Sequence, residues 1–148
     1  MELTNYDHFS TALNQCDKEL DEIYHKYAMQ HHLSDAALWI LYAIYDAKDG
    51  ITQADLCNAW SFSRQTINTA LKKLEQQKII ALHAVSTNRK SKEIVFTEKG
   101  NAMVQEVLMP LLHAEYSVYN AFSEEENRLF IELCKKRCSL LHKFIEIK

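Results

Sequence analysis

Residues 63–73 read Ser63-Arg64-Gln65-Thr66-Ile67-Asn68-Thr69-Ala70-Leu71-Lys72-Lys73. At helical spacing they separate into two faces. Ile67, Ala70 and Leu71, with Leu74, form an apolar stripe, and the polar side chains project opposite it without an acid among them. The polar set has the hydrogen-bonding capacity to read a nucleic acid. Arg64 and Lys72 reach guanine acceptors or phosphates, Gln65 and Asn68 pair bidentately with adenine, and Ser63, Thr66 and Thr69 donate to phosphate oxygens, with Lys73 adding charge. A solvated polar helix face has the same appearance when taken alone.

Charge distribution weighs against that blander alternative. Residues 61–100 hold eight Lys and Arg against three acids, a local net charge of +5 inside a chain of formal net charge −3. A basic segment framed by acidic ones points to a polyanionic partner for that segment. Part of the charge lies beyond residue 73. Two β-rich stretches, 79–85 and 93–97, flank the polar loop 86–92, which carries Asn88, Arg89, Lys90 and Lys92 and reads as a hairpin tip. Helix, turn, helix and basic hairpin in this order allow one helix to lie in the DNA major groove while a loop presses on the neighbouring groove.

The rest of the chain must position these residues. With 148 residues, 47% hydrophobic and 25% charged, two Gly and one Pro, the composition fits one mainly helical domain and excludes a turn-rich β-sandwich. Residues 3–31 repeat apolar positions every three or four residues (Tyr6, Phe9, Leu13, Cys16, Leu20, Ile23, Tyr24, Tyr27), predicting a helix of about 40 Å. A rod that long overhangs a globule of this size and asks for a partner chain. Ser34 caps a second, nearly all-apolar helix over 36–47, and Thr52 with Asp55 caps a short third one carrying Leu56 and Trp60. Ser63 caps the helix over 64–77. Thr97 caps a fifth helix over 98–119 kinked at Pro110, and Ser123 with Glu126 opens a sixth.

Several function classes find no support. No apolar run is long enough for a membrane span and no signal segment is evident, so a cytoplasmic protein is expected. Cys16, Cys57, Cys134 and Cys138 lack CxxC spacing, so neither a disulfide framework nor a cofactor is expected. No phosphate-binding glycine loop, nucleophile elbow or regularly spaced acid–base set suggests an enzyme. A winged helix used as a protein interaction module remains the alternative from another class.

Across about residues 33–141 the sequence resembles the MarR family of winged helix-turn-helix transcriptional regulators. Gly50-Ile51-Thr52-Gln53-Ala54-Asp55-Leu56 is similar to the opening of its helix-turn-helix. Gln65-Thr66-Ile67-Asn68 through Leu74-Glu75 looks like its recognition helix, and Phe96-Thr97-Glu98-Lys99-Gly100 like its exit from the wing. Phe122-Ser123-Glu124-Glu125-Glu126 looks like the start of its last helix. The resemblance implies a mainly α fold with a small β-hairpin wing. It also implies a DNA-binding lobe over 33–97, a helical dimerisation region over 1–32 and 98–148, and a homodimer on a short inverted repeat. Repression relieved by a small ligand or an oxidant would be the usual outcome.

The sequence departs from the family pattern at the wing. The usual Asp-x-Arg is replaced by Asn88 and Lys90 with Arg89 between them, and Lys lacks the forked guanidinium that enters a minor groove. Lys78 stands where the family often has Gly. For the signal, Cys16 in the first helix is a possible redox residue, although Asp17 and Glu19 beside it oppose thiolate formation. Cys134 and Cys138, four apart, lack the His partners of a zinc site, so no metal is expected. A small aromatic ligand is the remaining possibility, with Tyr24, Tyr27, His31, Trp39 and Tyr42 as candidate pocket residues that would serve equally well as core.

Overall fold

The structure is a computed structural model that describes residues 4–59, 61–85 and 88–145, with the side chains of Thr4, Val85 and residues 88–91 outside what is described. The chain separates into one unit ending at Leu108 and another beginning at Met109.

The first unit opens with α1 (Thr4–Gln30), a single helix of 27 residues, as its uninterrupted apolar periodicity predicts. It ends without glycine. His32 takes φ 58°, Leu33 N donates to Ala28 O at 2.9 Å and His32 N to Met29 O at 3.0 Å, the paired bonds of a Schellman cap. Ser34 then accepts from Ala37 N and starts α2 (Asp35–Asp46), in which Ala36, Ala37, Leu38, Ile40, Leu41, Ala43 and Ile44 are all buried. This apolar-all-round helix is the centre of the unit, and α4 (Arg64–Gln76) packs its Ile67, Ala70, Leu71 and Leu74 stripe into the same core.

The sheet is larger than the predicted hairpin. A short β1 (Ile51–Thr52) pairs with β3 (Asn88–Phe96), which also pairs with β2 (Ile80–Val85), giving the antiparallel order β1-β3-β2. Residues 88–92, expected in the loop, belong to β3, with Ala84 opposite Lys92 and Val85 opposite Asn88. Polar residue types disguised this strand because a ladder is made by backbone hydrogen bonds and needs no apolar alternation. Ser86, Thr87 and Trp60 lie outside the described residues. Between β1 and α4 lies α3 (Gln53–Ala59), with only Leu56 buried.

The predicted continuous helix over 98–119 also needs correction. It is built as α5 (Glu98–Met103), a π-helical turn (Val104–Leu108) and α6 (Met109–Ala121). Pro110 has no N–H to donate and its ring crowds the carbonyl four residues back. The wider π turn placed just before it accommodates that defect in place of a simple kink. Val104, Val107 and Leu108 from this turn are buried.

The second unit contains α6 and α7 (Glu124–Phe144). Ser123 accepts from Glu126 N at 3.1 Å while Ser123 N donates to the Glu126 carboxylate at 2.7 Å, the predicted capping box. None of the described α7 residues is buried, and Phe130 and Phe144 stand 67% and 74% exposed. Among the described residues no helix is long and apolar enough to cross a membrane.

Candidate nucleic-acid interface

Both ends of α4 are held firmly. At its start Ser63 Oγ accepts from Thr66 N at 3.1 Å and lies 2.8 Å from Thr66 Oγ1, so these two hydroxyls cap the helix before any ligand arrives. The first turn contains no acid, leaving the positive end of the helix dipole uncompensated next to Arg64. Ahead of it, Asp55 Oδ2 accepts from Thr52 N at 2.9 Å and from Thr52 Oγ1 at 2.8 Å. The backbone bond and then the side-chain bond hold the Asp55 carboxyl below its ordinary value, fixing the start of α3. Gln53 Nε2 in turn donates to Asn68 Oδ1, joining α3 to α4.

The far end of α4 closes through Lys78. Its φ is 58°, Lys78 N donates to Glu75 O and Ile79 N to Leu74 O, both at 2.9 Å. The Schellman geometry is thus kept with lysine where glycine is easier. The segment Thr97-Glu98-Lys99-Gly100 completes the joint. Thr97 N donates to Ile79 O at 3.1 Å, Thr97 Oγ1 donates to Ile79 O and Lys78 O, and Gly100 N donates to Thr97 Oγ1 at 3.1 Å. Lys99 Nζ donates to Gln77 O at 2.9 Å. A methyl on Gly100 would sit 2.0 Å from Ile79 O, so only glycine lets α5 start this close to the end of α4.

With the helix so fixed, its exposed residues are Arg64, Gln65, Thr66, Thr69, Lys72, Lys73, Glu75 and Gln76, preceded by the exposed Ser63; Glu75, the one acid among them, lies on the flank beside Arg64 and Asn68. Opposite the buried stripe the outermost ridge is Gln65, Thr69, Lys72 and Gln76, spanning about 16 Å at 1.5 Å per residue. Gln76 belongs to this ridge although residue chemistry alone did not single it out; projecting the helix one turn further would have done so. Thr66 and Lys73, together with Gln65 and Thr69 of the ridge, line a cleft shared with Ser34 and Asp35 at the start of α2. Asn68 is half-buried, and the oxygen that adenine pairing would use accepts from Gln53. No signal in a single sequence marks the Gln53–Asn68 bond.

On the wing, Lys92 is exposed opposite Ala84. The backbones of Asn88, Arg89 and Lys90 belong to β3, and their side chains lie outside those described.

The five aromatic pocket candidates do not share one cavity. Tyr24 and Trp39 face each other at 5.0 Å between ring centroids and line a cleft of about 260 Å³ with Asp21, His25, Asp35, Leu38 and Phe62. Tyr42 contacts Trp39 at 5.8 Å but lines a different depression, near Ile51 and Ala59. Tyr27 packs against His31 with the rings tilted 56° and centroids 4.7 Å apart and donates to Val107 O at 2.7 Å, and burial raises its phenol pKa. Cys16, Cys134 and Cys138 are exposed and Cys57 is half-buried. Among the described residues no three His, Cys, Asp or Glu side chains gather as a metal site.

Comparison with known proteins agrees with this architecture. Residues 31–91 match the family model described as MarR family. The HTH-type transcriptional regulator PecS of Dickeya dadantii (strain 3937) is 26% identical over 110 residues, 74% of this chain and 65% of the length of that regulator. Staphylococcus aureus MepR in its DNA-binding conformation aligns with a TM-score of 0.75 at 22% identity, covering 90% of this chain and 98% of the other. The transcription regulator MarR from Oenococcus oeni PSU-1 aligns with a TM-score of 0.70 at 16% identity, covering 88% and 98%. At these identities the structural likenesses establish a shared fold.

Proposed function

From the match of residues 31–91 to the MarR family model, we propose that the chain is a MarR-family, sequence-specific DNA-binding transcriptional regulator. The observation that carries this reading is the outer ridge of α4: amide, hydroxyl and ammonium groups without an acid, on a helix held at both ends. An element some 20 Å long and rigidly mounted suits a major groove about 12 Å wide. In this reading Gln65, Thr69, Lys72 and Gln76 meet base edges. Ser63, Arg64, Thr66 and Lys73 meet flanking phosphates, and Asn68 reads from the side nearer α3. Lys92, with Asn88, Arg89 and Lys90, serves the wing.

The regulator works as a homodimer in this proposal, on a short inverted repeat whose half-sites lie about one helical turn apart. Exposed apolar side chains on α1 (Tyr6, Phe9, Leu20, Ile23) and α7 (Leu129, Phe130, Ile131, Leu133) support it, since contiguous apolar surface on a monomer marks an association site. The helical regions 1–32 and 98–148 would dimerise and 33–97 would bind DNA. Repression relieved by a small molecule completes the proposal, with Tyr24 and Trp39 as its pocket residues. Cys16 is exposed and is followed in the sequence by the acids Asp17 and Glu19, a setting that favours a ligand over a thiol as the signal.

The test is selection of bound genomic fragments by the purified chain at two salt concentrations. Recovery of an inverted repeat, with affinity falling steeply as salt rises, is the expected result. Absence of enrichment at both concentrations would overturn the reading and turn the search to protein partners.

A further inference from the structure

The cleft between α1, α2 and the turn before α4 has a composition of its own. Asp21 and Asp35 supply two carboxylates, the rings of Tyr24, Trp39 and Phe62 supply aromatic faces, and neither Lys nor Arg lines it. Nearby cations are already engaged: Lys18 and Lys26 both pair with Glu22, at 3.8 and 3.9 Å, leaving Asp21 without an ion-pair partner among the described residues. Asp35 Oδ1 is held at 2.8 Å by His25 Nδ1, both of them lining the cleft. Tyr24 and Trp39 are tilted 48° to one another and form two sides of a corner.

We propose that this cleft binds a small organic cation carrying an aromatic or alkyl body. Aromatic faces carry negative quadrupole charge and attract an ammonium or amidinium group, and carboxylates at the rim add direct attraction. An aromatic carboxylate would meet the like charge of Asp21, which no Lys or Arg balances, and that of Asp35, which is engaged by His25. The volume of about 260 Å³ suits a body the size of one ring. Phe62 is adjacent to Ser63, the cap of α4, so an occupant touching Phe62 presses on the turn that aims the recognition helix. The ligand class stands on the cleft alone; only its effect on DNA rests on the regulator reading.

Titration calorimetry on the full chain without DNA tests the ligand class, with benzyltrimethylammonium and benzoate as probes. The cation is expected to bind saturably, one per chain, and at least tenfold more tightly than benzoate, an electrostatic difference of about 1.4 kcal/mol. Asp21→Asn, on an exposed helix face, is expected to weaken the cation about fivefold without changing the melting temperature, and Phe62→Leu to weaken it by a similar factor. Equal or tighter binding of benzoate, no saturable binding of the cation, or indifference to Asp21→Asn would each overturn the proposal. A second arm measures affinity for the selected DNA with the cleft saturated. Altered affinity supports the link through Phe62. Unchanged affinity would overturn that link, and failure to select DNA at all would count against the regulator reading while the calorimetry still decides the ligand class.

Discussion

Single side chains account for much of how α4 is mounted, and their substitutions separate folding from recognition. Gly100→Ala forces a methyl against the Ile79 carbonyl. It should cost about 1–3 kcal/mol in urea unfolding, because backbone on both sides must shift. Lys78→Gly should act oppositely, gaining up to about 1 kcal/mol by relieving left-handed strain, less what glycine adds to unfolded-chain entropy. Tyr27 gives a pH signature. Its folded pKa is raised above the unfolded 10.0, so its contribution is complete below pH 10 and is lost as pH rises through the folded value. Tyr27→Phe should therefore cost about 1 kcal/mol at neutral pH and flatten the alkaline limb of a stability profile. Arg64→Ala tests recognition instead. A uniform loss of affinity across sequences is expected of the phosphate contact proposed for it, and loss of preference at one base position, by about 1–3 kcal/mol in competition binding, would place it on a guanine instead.

Elements differed in how openly the sequence declared them. Caps were legible, since Ser34, Thr52, Ser63, Thr97 and Ser123 each carry a hydroxyl at the geometry a helix start requires, and each is used. Buried stripes were equally legible in α2 and α4, where periodicity and burial coincide. The start of β3 was not, because Asn88 and Lys92 satisfy a ladder by backbone alone and leave no apolar signature. Nor was β1, whose two residues pair through a partner more than forty positions away. The π turn escaped for a different reason: proline announces a defect but not the geometry that absorbs it. The ridge of α4 was legible as chemistry, whereas the engagement of Asn68 with Gln53 depends on a contact between separate helices. Extension of β3 to Asn88 makes the wing a stiffer arm than a loop, so Arg89→Ala and Lys90→Ala should give unequal losses of DNA affinity if one of them enters a groove.

At the scale of the molecule, exposed apolar surface and charge asymmetry answer different questions. The first concerns assembly. Phe130→Asp places a charge on the apolar surface of α7 and should convert the proposed dimer into a monomer in sedimentation, with loss of affinity for a DNA carrying both proposed half-sites. The second concerns steering, since a +5 segment in an otherwise acidic chain orients the basic lobe toward a polyanion during approach. The carbonyl of Ile79 has a further consequence. It accepts from Thr97 N and Oγ1 in a joint that also takes in the close of α4 and the start of α5. Two elements about twenty residues apart in sequence, the close of α4 and the start of α5, thus share one latch and release together. In hydrogen exchange, the amides of Ile79, Thr97 and Gly100 should then open together at a single rate, well below that of the chain ends, so that the reading lobe melts as one cooperative block or not at all.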